Sequence, residues 1–413
     1  MSTATPAQGA LSHIRVLDLS RVLAGPWASQ TLGDLGAEVI KVERPGTGDD
    51  TRLWGPPFLQ DRDGNDTRDS AYYLCANRNK KSIAVDFTQP RGQEIVRELA
   101  RWCDVVVENF KVGSLAQYGL DYARLRQLNP RLVYCSITGF GQTGPYAHRA
   151  GYDFLMQGMG GLMSVTGRAD GEEGAGPVKV GVALTDILTG LYASTAILAA
   201  LQAREVTGEG QAIDLALLDV QVACLANQSM NHLYGQTPRR MGNAHPNTVP
   251  YQDFPTADGY MILAIGNDSQ FAAFCQATGK PEWAQDPRLK TNTGRVENRA
   301  TLIPQMRQVT VGRPTREWIA LFEKVGVPCG PINTIADVFA DPQVRSRGTE
   351  IHMTHPTAGE IPLVASPIRL SGTPVQYRRA PPELGQDTRD VLSGLLALPD
   401  DVIASLIEQG VVQ

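Results

Sequence analysis

Short, uninterrupted apolar segments alternate with helical segments through the first half of the chain. The apolar segments lie at 14–19, 39–42, 83–87, 105–107 and 132–137, and helical patterns lie between them at 26–35, 90–102 and 122–128. A strand that is apolar on both faces must be covered on both faces, which is typical of a parallel sheet between helices. We therefore predict an α/β fold with a Rossmann-like parallel sheet.

The second half of the chain indicates a smaller inserted domain. A helix rich in small residues is predicted at 186–204, followed by a strand at 212–215 and a helix at 217–233. A polar segment then leads to an α+β pattern, with a strand at 260–265 and helices near 269–278, 295–309 and 315–324. Beyond 341 the chain becomes rich in proline. We predict a large domain at 1–220, a linker and small domain at 221–340, and a return to the large domain at 341–413.

Composition excludes several classes of partner. The formal charge of −5 gives no overall basic field for nucleic acid. No apolar run approaches the length of a membrane span, and the first residues lack the pattern of a signal peptide. The six cysteines include no CxxC pair, so no disulfide framework is indicated. We expect a cytoplasmic protein with neither nucleic-acid nor membrane partners.

Missing motifs narrow the chemistry. The first strand–helix turn reads LSRVLAGPW without GxGxxG, which argues against a dinucleotide site. Neither GxxxxGK[ST] nor GxSxG occurs, which argues against a P-loop ATPase and a common type of serine hydrolase. His352 and His355 form the closest histidine pair, with no further ligands nearby in sequence. We predict no metal site and no permanently bound cofactor.

Charged residues near predicted strand ends are the remaining candidates. Arg44, Arg78, Lys80 and Lys81 fall around two predicted loops, where they could bind phosphates or form a solvated basic surface. Asp18 and Asp153 have ready structural roles in a strand and at a helix start. Asp186 opens the long helix, whose N-terminal N–H groups and dipole would keep its carboxylate ionised. The alternatives for Asp186 are a structural N-cap and a reactive group.

The motifs resemble those of the class III CoA-transferases, a family that includes formyl-CoA transferase, carnitine CoA-transferase and the α-methylacyl-CoA racemases. The similar segments span nearly the whole chain: VLDLSRVLAGPWASQTLGDLGAEVIKVERPGTGDDTR, NRNKKSIAVD, VVENFKVGSL, GYDFLMQGMGGLMSVTG, ALTDILTGLYA, GQAIDLALLD and VPCGPINTIADVFADPQV. The segments VACLANQSMNHLYG, MGNAHPNTVPYQDFPTADGY and IGNDSQFA are most similar to the succinate–hydroxymethylglutarate (glutarate) CoA-transferases.

This resemblance implies a large domain built from both chain ends and an interlocked homodimer. It also implies that Asp186 is a nucleophile, which carries CoA as an aspartyl thioester between a dicarboxylyl-CoA such as succinyl-CoA and an acceptor such as glutarate. CoA enters as a substrate. The motif matches place it against Leu23, Ala24, Arg44, Asn77, Arg78, Asn79, Lys80, Asn109, Phe110, Lys111, Ala150, Gly151, Tyr152 and Asp153.

Three positions depart from formyl-CoA transferase. Leu23 replaces an active-site glutamine, Gln117 replaces a CoA-binding arginine, and GNAHPNTVPYQ replaces a glycine-rich substrate loop. In that loop we predict that His245 contacts the distal carboxylate of the acceptor, while Arg239 and Arg240 either assist or face water.

Two other functions stay open. An α-methylacyl-CoA racemase pairs a histidine with the aspartate, but Tyr152 occupies the histidine position here. The other alternative is a non-catalytic CoA-binding protein on the same fold.

Overall fold

The computed structural model describes residues 9–413, which form two compact units. Unit 1 contains the residues up to Leu162, Val180–Met230 and Arg345–Gln413, whereas unit 2 contains Met163–Lys179 and Asn231–Val344. Unit 1 therefore draws on both ends of the chain. Residues 163–179, which we assigned to the large domain, lie in unit 2 instead. The predicted borders near 220 and 340 stay predictions.

The strands of residues 9–413 are β1 (Arg15–Asp18), β2 (Glu38–Glu43), β3 (Phe58–Gln60), β4 (Asp66–Ser70), β5 (Lys80–Ala84), β6 (Val105–Glu108), β7 (Val133–Thr138), β8 (Ala212–Ala216), β9 (Tyr251–Pro255), β10 (Tyr260–Ala264), β11 (Cys329–Pro331), β12 (Glu350–His355) and β13 (Gly359–Val364).

The α-helices are α1 (Ala24–Asp34), α2 (Ala71–Leu74), α3 (Pro90–Trp102), α4 (Tyr122–Leu128), α5 (Asp153–Met159), α6 (Leu162–Val165), α7 (Leu184–Thr207), α8 (Leu217–Ala223), α9 (Asn227–Leu233), α10 (Asp268–Ala277), α11 (Pro281–Gln285), α12 (Asn292–Glu297), α13 (Arg299–Thr310), α14 (Thr315–Lys324), α15 (Ile335–Ala340), α16 (Pro342–Ser346), α17 (Thr388–Gly394) and α18 (Asp400–Glu408).

A six-stranded parallel sheet forms the centre of unit 1, in the order β5-β2-β1-β6-β7-β8. Val105, Val106 and Val107 are fully buried in β6, since apolar layers cover both faces of the sheet. The prediction of a parallel α/β sheet is confirmed. The strand order reverses between β1 and β6, and a crevice opens beyond the carboxyl ends of the strands at such a point.

Residues 345–413 complete one face of this sheet. Val391, Leu392 and Leu406 pack in the same core as α3 and α4. Val412 forms an antiparallel bridge with Val85, and the Gln413 N–H donates to the Ala84 carbonyl at 3.1 Å. The segment therefore covers the edge of the sheet next to β5.

Unit 2 is built around the antiparallel sheet β9–β10–β11. Its core is aromatic and aliphatic, with Phe254, Phe274 and Phe322 fully buried. The expected α+β character of this segment agrees with the observed elements.

Two predicted elements differ from the structure. The helix expected at 217–233 is divided into α8 and α9 because Ala226 adopts a left-handed conformation with φ of 46°. The strand expected at 83–87 begins three residues earlier, at Lys80, so Lys80 and Lys81 belong to β5 and not to a loop.

The length and composition of α7 would also suit a membrane span, which differs from our expectation for this sequence. Half of its most apolar stretch is buried inside the protein. A helix in a protein core meets the same two criteria, so the observation is weak evidence for a span.

Close contact between α7 and α1 depends on a glycine. A Cβ atom added to Gly190 would lie 2.8 Å from the Ala24 carbonyl oxygen and 2.9 Å from the Trp27 Cβ. These are main-chain and near-main-chain atoms, which cannot move aside without moving α1. Gly190 therefore allows α7 to lie directly against the first turn of α1.

We expect Gly190→Ala to lower the free energy of unfolding by about 1–3 kcal/mol, because the added methyl group overpacks this contact. Urea unfolding would measure the change. The matched control is Gly394→Ala at the end of α17, where an added Cβ meets nothing within 4 Å. Equal stability of the two variants would contradict the proposed packing role of Gly190.

Candidate active site

A pocket of about 160 Å³ opens beyond the carboxyl ends of β1 and β6. Its walls include nine of the residues predicted from the sequence, and Arg21, Val22, Asp50 and Thr138 also contribute. The predicted residues in the pocket are Leu23, Ala24, Asn109, Phe110, Lys111, Ala150, Gly151, Tyr152 and Asp186. The pocket lies at the point where the strand order of the sheet reverses.

Asp186 lies in the first turn of α7 and is buried, with only 9% of its surface exposed. Among the described residues, none donates a hydrogen bond to its carboxylate. Burial, and then the negative charge of Asp153, raise the pKa of Asp186 to about 7. The position at a helix start predicted an ionised carboxylate, whereas burial and the charge of Asp153 make the ionised form less favourable than that position alone suggests.

Asp153 caps the helix that carries Asp186. Its carboxylate accepts hydrogen bonds from the Thr185 N–H at 2.8 Å and the Asp186 N–H at 3.4 Å. It also accepts one from Gln157 Nε2 at 2.7 Å. We expected Asp153 to cap the helix that follows it, and Asp186 to be a candidate cap of α7. The structure gives the capping role on α7 to Asp153 and leaves the Asp186 carboxylate free in the pocket.

A second pocket, of about 400 Å³, is adjacent to the first and shares Arg21 and Phe110 with it. The predicted residue Arg44 lines it, as does Gln117. Phe87 and Tyr118 also line this pocket, and both rings pack edge-on at 5.7 Å from one another. We call these two adjoining pockets the cleft; Asp186 lines the first of them and Arg44 lines the second.

The basic residues near β5 are arranged differently from our expectation. Lys80 pairs with Val39 at the start of β2, whereas Arg44 follows the end of that strand, so they do not share one edge of the sheet. The Lys80 Nζ lies 3.0 Å from the Asp18 carboxylate, and Arg78 pairs with Asp34 at 2.5 Å. Arg78 and Lys80 are therefore neither free to bind phosphates nor part of a solvated basic surface.

Asn77 and Asn79 are buried as well. Asn77 Nδ2 donates to the Tyr73 carbonyl, and Asn79 Nδ2 donates to Asp34 Oδ1 and to the Gln376 carbonyl. Contact of Asn77, Arg78, Asn79 and Lys80 with CoA stays a prediction, and their side-chain contacts within the protein give it no support.

His245 lies in unit 2. Its Nδ1 accepts the Asn247 N–H at 3.1 Å, which leaves Nε2 as the donor of the neutral ring. Burial, and then the charge of Arg299, lower the pKa of His245. Arg240 pairs with Asp170, so its charge is already engaged, whereas Arg239 is exposed.

Sequence reasoning missed two groups around the pocket. Tyr72 is half-buried, and its burial and the charge of Asp186 raise the pKa of its hydroxyl to about 12. Glu108 is buried at the end of β6 and accepts the Phe110 N–H at 2.8 Å, and burial raises its pKa to about 7. Glu108 belongs to the matched segment VVENFKVGSL and Tyr72 lies outside the matched segments, and nothing in the sequence around either residue indicated its burial.

Comparison with known proteins decides the family. A sequence profile described as CoA-transferase family III matches residues 11–388. The chain belongs to this family. The resemblance inferred from its motifs is therefore confirmed.

Two curated relatives in the family have similar lengths. The chain is 52% identical over 386 residues to the succinate–glutarate CoA-transferase of Agrobacterium fabrum, which covers 93% of this chain and 95% of that protein. It is 48% identical over 404 residues to the succinyl-CoA:glutarate CoA-transferase of Mus musculus, covering 98% and 90%.

Solved structures share the fold. A CAIB/BAIF family protein from Brucella suis is 49% identical, with a TM-score of 0.80 over 95% of this chain and 99% of that chain. A hypothetical protein from Mycobacterium tuberculosis is 29% identical, with a TM-score of 0.82 over 94% of this chain and 99% of that one.

The pKa of Asp186 predicts the pH dependence of its reaction. A carboxylate nucleophile must be ionised, so kcat/KM for acyl-CoA should fall as the pH drops through about 7. Asp153→Asn removes the negative charge that raises the pKa of Asp186, so the acidic limb of the kcat/KM profile should move to lower pH. Steady-state rates between pH 5 and pH 9 would show it. A limb that does not move would mean that another group, such as Glu108, controls the profile.

Proposed function

We propose that this protein is a CoA-transferase that moves CoA from succinyl-CoA to glutarate or a related dicarboxylate. The observation that carries the proposal is the buried carboxylate of Asp186, which receives no hydrogen bond from residues 9–413 and lies in a pocket with eight other residues predicted from the family motifs. The names of the curated relatives support the choice of succinyl-CoA and glutarate.

The cleft suits an extended acyl-CoA. We place the thioester in the first pocket beside Asp186, and the phosphates and adenine in the second pocket near Arg44. Arginine suits phosphate oxygens because its charge is permanent and its donors are planar. The rings of Phe87, Phe110 and Tyr118 offer apolar surface to a base.

The transfer proceeds through two anhydrides and one enzyme thioester. The Asp186 carboxylate attacks the acyl carbonyl, the C–S bond breaks, and CoA thiolate leaves. The thiolate then attacks the aspartyl carbonyl and releases the donor acid, which leaves an aspartyl-CoA thioester. The acceptor carboxylate attacks this thioester and displaces the CoA thiolate, which gives the second anhydride. The thiolate then attacks the acceptor's acyl carbon, forms the product acyl-CoA and releases the Asp186 carboxylate. Acyl activation is conserved at every step, so no ATP is consumed.

Desolvation explains why Asp186 suits this chemistry. A carboxylate surrounded by donors is stabilised and reacts slowly, whereas the Asp186 carboxylate has no donor among the described residues. Its raised pKa expresses the same fact, since the charged form is poorly stabilised. Ionised Asp186 is therefore destabilised relative to the neutral anhydride that it forms.

The racemase alternative lacks its acid–base partner. The corresponding side chain, Tyr152, is 63% exposed and offers a phenol in place of the imidazole, the side chain that exchanges protons most readily near neutral pH. We further propose that the enzyme acts as a homodimer in the cytoplasm, with CoA as a substrate and without a permanently bound cofactor. Exposed apolar residues of unit 1, including Phe154, Leu191 and Tyr192, support self-association.

The acceptor's distal carboxylate is the least constrained part of the proposal. A buried second charge needs a partner, because an unpaired one is very costly. We propose that the Nε2–H of His245 donates to it, with Arg239 as the neighbouring cation. The lowered pKa of His245 implies that the ring is mostly neutral at neutral pH and becomes a stronger partner in acid.

Labelled glutarate should enter glutaryl-CoA when succinyl-CoA is supplied. Asp186→Asn should lower this exchange by at least about 10³-fold, as removal of a nucleophile does. Asp219→Asn, at an exposed aspartate of α8, is the control and should exchange normally. Glutarate, hydroxymethylglutarate, malate, citramalate, itaconate and oxalate, compared as acceptors, would define the specificity.

Hydroxylamine tests the covalent step. It should convert Asp186 to a hydroxamate only after acyl-CoA is added, and peptide mass spectrometry would locate the modification. A fully active enzyme without modification would refute the aspartyl intermediate. CoA binding without any exchange would favour the non-catalytic alternative.

His245→Ala should raise KM for glutarate more than KM for succinyl-CoA. The expected loss is about 1.5–3 kcal/mol for a hydrogen bond to a charged group, and it should grow as the pH falls and the ring becomes charged. Monocarboxylate acceptors should change little. His232→Ala, at another histidine of unit 2, serves as the control. Unchanged dicarboxylate kinetics in His245→Ala would exclude this contact.

A further inference from the structure

The turn between β1 and α1 is held in an uncommon conformation. This turn, Ser20–Leu23, contains Val22 with φ of 71°, in the left-handed region. A β-branched residue is a clear outlier there, because its side chain crowds the backbone. Such strain persists only where the surroundings impose it, and it concentrates at active sites. Leu23 and Ala24 follow directly and line the pocket that contains Asp186.

Side chains from other parts of unit 1 form hydrogen bonds with the backbone of three successive residues in this turn. The Val22 N–H donates to both carboxylate oxygens of Asp49, at 3.2 and 3.3 Å. The Arg21 N–H donates to Asn109 Oδ1 at 2.9 Å, and Asn109 Nδ2 donates to the Arg21 carbonyl at 2.6 Å. Lys41 Nζ donates to the Ser20 carbonyl at 2.8 Å. Asp49 is therefore the group that holds the strained residue itself.

Asp49 is built to remain charged in a buried place. It is 1% exposed, and Lys41 Nζ, itself fully buried, lies 2.9 Å from its carboxylate. Thr51 donates to it from the backbone N–H at 3.0 Å and from the hydroxyl at 2.8 Å. Burial opposes ionisation, but Lys41 and these donors together lower the pKa of Asp49 below its usual range. A charged acceptor makes stronger hydrogen bonds than a neutral one.

We propose that Asp49 is a positioning residue for CoA transfer, whose carboxylate holds Val22 in the left-handed conformation and so sets Leu23 and Ala24 against the acyl end of acyl-CoA. The proposal rests on the proposed function. It differs from a purely structural role for the ion pair, in which loss of Asp49 would lower stability and leave kinetics intact.

Two aspartate variants separate these roles. Asp49→Asn removes the charge that holds the turn, while Asp104→Asn removes the partner of another buried cation, Arg204, at the opposite end of β6. We expect kcat/KM for succinyl-CoA to fall about 10- to 100-fold in Asp49→Asn, as misplacement of about 1 Å at a reacting centre does. Asp104→Asn should lose stability and keep the wild-type kcat/KM. Equal kcat/KM for the two variants would overturn the proposal.

Val22 variants keep the test valid if Asp49→Asn does not fold. Proline at this position fixes φ near −65° and removes the N–H that Asp49 accepts. Glycine keeps the N–H and adopts the left-handed conformation without strain. We expect Val22→Pro to lose at least about tenfold more kcat/KM than Val22→Gly, by the same misplacement argument. Similar losses in both variants would show that the turn conformation does not matter.

Direct binding of CoA distinguishes failure of this inference from failure of the proposed function. Wild-type protein that binds CoA in calorimetry without CoA exchange would contradict the proposed function alone. A CoA Kd raised in Asp49→Asn and unchanged in Asp104→Asn would still support positioning of the turn. An unchanged CoA Kd in Asp49→Asn, together with unchanged kcat/KM where exchange occurs, would refute it.

Discussion

The contact of α7 with the first turn of α1 determines where the reactive carboxylate lies. Gly190 is one turn of helix beyond Asp186, and its missing side chain lets the two helices meet at main-chain distance. Ala24, whose carbonyl meets Gly190, also lines the pocket. The same contact therefore packs the core and aligns Asp186 with the turn after β1. A wider helix separation would leave both elements folded and move the carboxylate away from that turn.

The buried carboxylates of unit 1 differ in whether a cation lies beside them. Asp18, Asp34, Glu43 and Asp49 are buried beside cations, whereas Asp186 is buried beside another carboxylate. The charges of the paired acids are already compensated, so these acids hold their surroundings in place and are not available to react. Asp186 differs because its charge is not compensated, and a buried uncompensated charge is a common property of reacting groups.

Periodicity predicted the architecture well, because unbroken apolar runs such as Val105–Val107 have few stable solutions other than a covered parallel strand. The identity of the pocket residues came mainly from the family motifs. The sequence did not show which charged side chains pair with one another in the folded protein. Nothing in NRNKK indicates that Arg78 and Lys80 are already paired with Asp34 and Asp18. Likewise, a helix-opening position for Asp186 indicates a favourable dipole but gives no measure of desolvation, which is the largest cause of the raised pKa of Asp186.

The discontinuous make-up of unit 1 bears on how the chain folds during synthesis. Residues 411–413 cover the edge of the sheet at Ala84 and Val85, and Val391 to Leu406 fill one of its faces, so the sheet made first stays incomplete until residue 413 has left the ribosome. At the usual rate of translation, the intervening unit 2 delays this completion by roughly ten seconds. During that interval an apolar face and a strand edge of β5 lie open to the nascent chain's surroundings. The sheet is therefore most open to wrong strand pairing during that interval, because its covering segment follows unit 2 in the chain.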